Sequence, residues 1–209
     1  MIPRRSLLLS AVALAAAAPA LARAPRGLWF DPTQLPSYSG RLERWLLSPD
    51  GAVTRALFRE GTQVIFPAEE AEALMAAVKQ DETLVAYGVR ARTAPVVIML
   101  AWARSDSEPA NFIASPSWFA SDAVGREELA LRGKVRAPLL SPQGEAMGVI
   151  LEDGGVIRLP IGLYDRLDWL KPGAEVAAAG LGARREAMAA LDAARLGPAP
   201  ERMEAVPTR

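Results

Sequence analysis

The chain has no cysteine and no histidine. The first absence excludes a disulfide framework, so stability has to come from packed cores. The second is more restrictive. Ser-His-Asp and Cys-His catalysis are ruled out, and so are zinc and haem sites held by His or Cys. An enzyme would be left with carboxylate, Lys, Tyr or Ser chemistry. Lysine is scarce too: only Lys79, Lys134 and Lys171 accompany the arginines. Basic and acidic residues number 24 each, which is no electrostatic footprint for nucleic acid. There is no phosphate-binding glycine loop, and the longest apolar run falls short of the about 20 residues that cross a bilayer. These absences imply no cofactor and no metal.

That apolar run stands at the N-terminus, in "MIPRRSLLLSAVALAAAAPALA". Arg4 and Arg5 precede it and Ala20-Leu21-Ala22 closes it. A charged start, a short apolar stretch and a small-x-small ending make a secretory signal over residues 1–22, with cleavage expected after Ala22. The export route is Sec or, given the arginine pair, Tat. Once the signal is removed, no membrane-spanning segment is expected.

Two stretches then read alike: "GRLERWLLSPDGAVTRALFREGTQVIFP" at 40–67 and "GKVRAPLLSPQGEAMGVILEDGGVIRLP" at 133–160. Ungapped, they share Gly40/133, Leu46/139, Leu47/140, Ser48/141, Pro49/142, Gly51/144, Gly61/154 and Pro67/160. Ser-Pro-x-Gly suits a type I turn. Glu60-Gly61 and Asp153-Gly154 suit tight hairpin turns in which glycine supplies a positive φ. Each copy is therefore three strands joined by two turns, about 40–47, 53–59 and 62–66, and 132–140, 146–152 and 155–159. Leu42/Val135, Leu46/Leu139, Ala56/Val149, Phe58/Leu151, Val64/Ile157 and Phe66/Leu159 are apolar in both copies and mark the inner face. After the shared Pro, the period turns helical at 68–80 and again, more briefly, at 161–173. A fourth strand follows at 83–92 and 175–184. A fifth is clear at 95–103 and weak at 186–195, where the pattern also admits a helix.

Strand-strand-strand-helix-strand-strand, written twice, is the order of the OB-fold, a small five-stranded Greek-key barrel. The expected fold is all-β with short helices: two tandem OB-fold-like five-stranded barrels, each with a helix between strands 3 and 4. The barrels are expected at 37–104 and 131–196, with a linker at 105–130 and a disordered tail at 197–209. Phe112, Trp118 and Phe119 interrupt the linker, either packed on a barrel flank or as an anchor between barrels. Tyr164 and Trp169, at helical spacing with Leu163, Leu167 and Leu170, read as a barrel plug.

The pattern "G-x-V… G… EDGG-x-I-x-L… KPG-x-E-V… G" at 133–180 resembles the periplasmic bacterial OB-fold (BOF) type of exported domain. The resemblance covers about 50 residues of each copy. The first copy departs from it with Gln80-Asp81-Glu82 where the second has Lys171-Pro172-Gly173. The resemblance implies a periplasmic location and small-ligand or protein binding without catalysis.

OB-folds bind ligands on the outer face of strands two and three. The candidate binding residues on and around that face are Arg41, Trp45, Arg55, Arg59 and Ile65 in the first copy, and Lys134, Arg136 and Arg158 in the second. Leu57, Gln63 and Ile150 share it. A basic-aromatic face suits single-stranded nucleic acid, but an exported, slightly acidic protein has little occasion to meet it. Contact between the two barrels would bury the same residues. Paired carboxylates such as Glu69/Glu70, Asp165/Asp168 and Glu152/Asp153 lie on a helix or in a turn, where solvated surface accounts for them. The sequence thus points to an exported, non-catalytic binding or adaptor protein whose partner is an unknown protein or small molecule. The alternatives are a single-stranded nucleic-acid or polyanion binder and a carboxylate-dependent cell-envelope hydrolase.

Overall fold

A computed structural model describes residue 31 and residues 34–113 and 125–207. Residues 1–22, read above as a secretory signal, and Trp118 and Phe119 lie outside the described residues. The first copy of the repeat forms β1 (Ser37–Leu47), β2 (Val53–Phe58) and β3 (Gln63–Ile65), a 3-10 turn (Ala68–Glu70), α1 (Ala71–Ala77), then β4 (Thr83–Arg90) and β5 (Val96–Ala103). The second forms β7 (Glu127–Leu140), β8 (Ala146–Leu151), β9 (Val156–Arg158), β10 (Glu175–Arg185) and β11 (Met188–Gly197).

Pairing closes each set into a barrel. β1 runs antiparallel to both β2 and β4, β2 to β3 and β4 to β5, and β3 lies parallel to β5. β7 to β11 repeat every one of these pairings. The chain is thus two tandem five-stranded barrels with OB-like connectivity. Closure leaves few free edges. The turn glycines Gly51, Gly61, Gly144 and Gly154 all carry φ near +90°, as the shared turn chemistry requires. The segment 186–195, ambiguous in sequence, is strand from Met188 onward, within β11.

Three features differ from the sequence reading. The first concerns the linker and the tail, which are one element written twice. β6 (Asn111–Phe112) returns to pair with β5. β12 (Glu204–Ala205) returns to pair with β11. Ile113 N donates to Leu100 O at 2.9 Å and Val206 N to Ala194 O at 2.8 Å. Ile113 is buried in the first core and Val206 packs on the second. The prolines near 198–200 belong to a turn into this short strand, so residues 197–207 are ordered, and Phe112 takes part in the sheet. β7 also begins at Glu127, inside the expected linker.

The second difference is the lost helix of the second copy. Residues 161–173 form only a 3-10 turn at Tyr164–Arg166. Gly162 has φ +78°, and Leu167, at φ −105° and ψ 85°, leaves the helical region, so the turn stops before a regular helix can form. The segment still plugs its barrel: Leu163 and Leu170 are buried in the second core, with Tyr164, Leu167 and Trp169 packed around them.

The third difference changes the facing of β1 and β7. Each carries a bulge against its partner, between Leu42 and Arg44 and between Val135 and Ala137. An extra residue in one strand reverses the alternation beyond it. Beyond the bulge, Trp45 sits opposite Ala56 and turns inward, where it meets Phe66 edge-on at 5.7 Å. Leu46 sits opposite Arg55 and Leu139 opposite Gly148, so these two leucines face outward. Leu46, Leu139 and Trp45 are therefore on the opposite faces from those the alternation predicts.

Candidate binding surfaces

A strand with one solvated face alternates in burial. β2 and β8 do not. From Arg55 to Phe58 and from Gly148 to Leu151 every residue is buried. Leu57 and Ile150, which point away from their barrels, have no exposed surface at all. Both belong to one apolar cluster that runs from the interior of the first barrel through Leu46 and Leu57 to Leu139, Ile150, Val156, Ala183 and Ala190 of the second. A smaller cluster joins Ile65 and Val96 to Leu140 and Ala146. The outer faces of the two barrels meet in an apolar seam.

Polar groups lock this seam. Gln63 is 1% exposed, and its amide is bonded through both its nitrogen and its oxygen. Nε2 donates to Pro138 O at 2.8 Å, and Oε1 accepts from Leu140 N at 3.1 Å and from Arg55 Nη1 at 2.8 Å. Arg55 Nη1 also donates to Leu140 O at 2.8 Å. Side chains of the first barrel thus satisfy backbone groups of β7. Arg55 has only neutral acceptors there, and burial pulls its guanidinium down to about 10. Gly144, in the β7–β8 turn, approaches the β4–β5 turn so closely that a Cβ would stand 2.6 Å from Ala94 Cβ.

Ion pairs rim the seam. Arg136 holds Glu43 through Nε at 3.3 Å and Nη2 at 3.0 Å. Arg158 grips Asp192 through Nε at 2.5 Å and Nη2 at 2.9 Å, and reaches Asp50 of the first barrel at 3.5 Å. Arg126 bridges the same two aspartates, at 2.5 Å to Asp192 and 3.8 Å to Asp50. Burial lowers the Arg158 pKa. The hydrogen bond and charge of Asp192 and the charge of Asp50 together outweigh it, leaving the pKa raised.

The eight candidate residues therefore divide. Arg55, Ile65, Arg136 and Arg158 lie in or along the seam, and Trp45 is turned inward. Lys134 is exposed. Arg41 and Arg59 are exposed and stand together around Asp81: Arg41 Nε donates to Asp81 O at 3.2 Å, and Arg59 pairs with the Asp81 carboxylate. Gln63, which the sequence placed on the same face, completes the seam together with Glu43, Asp50 and Asp192, which the sequence did not single out. One signal for Glu43 was available: it faces Arg136 at the repeat offset of 93 residues with the opposite charge.

Outside the seam, a polar hollow of about 480 Å³ opens beside Arg41 and Thr83. An apolar one of about 600 Å³ opens beside Ile161 and Leu181. Among the described residues, no three His, Cys, Asp or Glu stand placed to hold a metal ion, and no helix is long and apolar enough to cross a membrane. Comparison with protein-family models, with curated proteins and with solved structures finds no match.

Proposed function

We propose that the protein is an exported, non-catalytic binding or adaptor module in which two OB-like barrels act as one body. The observation that carries this reading is the burial of Arg55, Leu57 and Gln63 against Leu139, Leu140 and Ile150. The face with which such barrels usually hold a ligand is taken up by the other barrel. Partners are then met from the surface that remains. Export rests on the leader at residues 1–22 and on the resemblance to periplasmic OB-fold domains. The carboxylates of the seam favour binding over hydrolysis, because Glu43, Asp50 and Asp192 are each neutralised by arginine.

The test is a titration of the mature protein with a single-stranded oligonucleotide at two salt concentrations. The adaptor reading expects no saturable binding. Binding that falls steeply with salt would instead mean that the barrels open and expose Arg55, Arg136 and Arg158 to a polyanion.

A further inference from the structure

Arg41 lies on β1 directly opposite Thr83 on β4, so the two side chains share the outer face of the first barrel. In the second barrel the same register sets Lys134 opposite Glu175. One copy thus faces its cation with a carboxylate and the other with a hydroxyl. The turn beside the pair differs in the same direction. Gly173 and Asp81 are equivalent, because their N–H groups donate to Val135 O at 2.7 Å and to Leu42 O at 2.8 Å. Both have positive φ, +87° and +69°. Glycine adopts that conformation freely, whereas aspartate adopts it at a cost. The first copy keeps an aspartate there, whose carbonyl orients Arg41 and whose carboxylate takes Arg59.

Of the three arginines around the hollow, Arg41 alone holds no carboxylate among the described residues. Arg104 holds Glu108 through Nε and Nη2, both at 3.0 Å. Arg59 holds Asp81. Glu82 accepts from the backbone N–H of Lys79 at 2.6 Å and keeps its charge. Arg41 uses Nε alone, and no described residue engages its Nη1 and Nη2. With Nε committed, the fork left open is the end-on pair, whose spacing matches the two oxygens of one carboxylate. Glu82 and Glu108 line the same hollow and disfavour a more highly charged anion such as phosphate.

We propose that Arg41 and Thr83 form a binding site for a single carboxylate, presented by a peptide C-terminus or by a small organic acid. The site rests on the non-catalytic binding reading and names the ligand chemistry of one of the surfaces left open. In it Arg41 takes the carboxylate through both Nη atoms, and the Thr83 hydroxyl donates beside it.

The test is a nuclear magnetic resonance titration of the full mature chain with acetate, with a tripeptide bearing a free C-terminus, and with its C-terminal amide. Saturable shifts at the Arg41 side-chain and Thr83 amide signals are expected with acetate or the free-acid tripeptide, and none with the amide. A tripeptide binding at least tenfold tighter than acetate assigns the site to peptide C-termini; equal binding assigns it to small acids. Arg41→Gln should weaken binding at least tenfold. Thr83→Glu, which copies the second barrel, should do the same while keeping Arg41 and an unchanged thermal transition. No saturable shift, or equal shifts in wild type and Thr83→Glu, would overturn the site and leave the adaptor reading standing. Turnover of a bound ester or amide would overturn that reading and leave the site.

Discussion

Glu43 and Arg136 hold the same position in the two copies of the repeat, and each is the extra residue of its strand's bulge. They bond to each other across the seam, with Arg136 Nη2 at 3.0 Å from Glu43 Oε2. Contact between equivalent residues is the mark of two-fold packing. Other contacts agree with it. Arg136 reaches the carbonyl of Arg59, where the β2–β3 hairpin begins, at 3.5 Å. Arg44, next to Glu43, packs on Gly154 of the β8–β9 hairpin.

The pair gives a test of this symmetry. Glu43→Arg and Arg136→Glu should each lower stability by about 1–3 kcal/mol, because like charges then meet in a partly buried site. The double variant exchanges the charges and should recover to within about 1 kcal/mol of wild type. Denaturant unfolding of the four proteins measures this. Additive losses in the double variant would mean that the two side chains do not interact.

Gln63→Ala removes one amide that serves three partners. Pro138 O and Leu140 N lose their bond from the first barrel, and Arg55 loses one of its two acceptors. Each buried group left unpaired costs about 1–3 kcal/mol. A total loss of about 3 kcal/mol or more is expected in chemical denaturation. A loss under about 1 kcal/mol would place water in the seam.

Arg55 predicts a pH dependence. An arginine in the unfolded chain holds its proton above about pH 12, whereas burial brings Arg55 down to about 10. Between these values the unfolded chain binds more protons than the native one, so stability rises with pH. Below about 10 the buried charge weighs against folding. The stability of wild type relative to Arg55→Met should therefore increase from about pH 9 to about pH 11. A flat difference would show that Arg55 keeps its proton throughout.

Leu139→Ala and Phe66→Ala should each cost about 2–5 kcal/mol as buried truncations. Leu139 faces the seam and Phe66 the interior of the first barrel. Both should lower the main unfolding transition if the two barrels unfold together. Two separated transitions in either variant would contradict a single cooperative body.

The barrel order was legible from period-two alternation, the Ser-Pro-x-Gly turns and the repeat itself. Some features left no such trace. A bulge adds one residue without breaking an apolar run, so Trp45 and Leu46 gave no sign of exchanging faces. The strands at Asn111–Phe112 and Glu204–Ala205 are too short for alternation to show, and prolines beside them imitate a disordered tail. The seam was half legible. Leu57 and Ile150 are apolar in both copies at a position facing away from the barrel, and contact between barrels was one expected way to bury that face. Which arginines would be neutralised there depends on Asp50 and Asp192, which lie far from Arg158 in sequence and come near it only in the folded chain.

The Glu43–Arg136 pair also bears on how such a molecule could arise. Two identical barrels docked in this way would bring glutamate to glutamate, or arginine to arginine, at the axis. Attraction there requires copies that differ. With both copies in one gene, each position can mutate on its own, so a contact that would repel in a self-associating ancestor becomes one that holds. The same difference discourages either barrel from pairing with its like on a neighbouring molecule, and the fused chain keeps its match to itself.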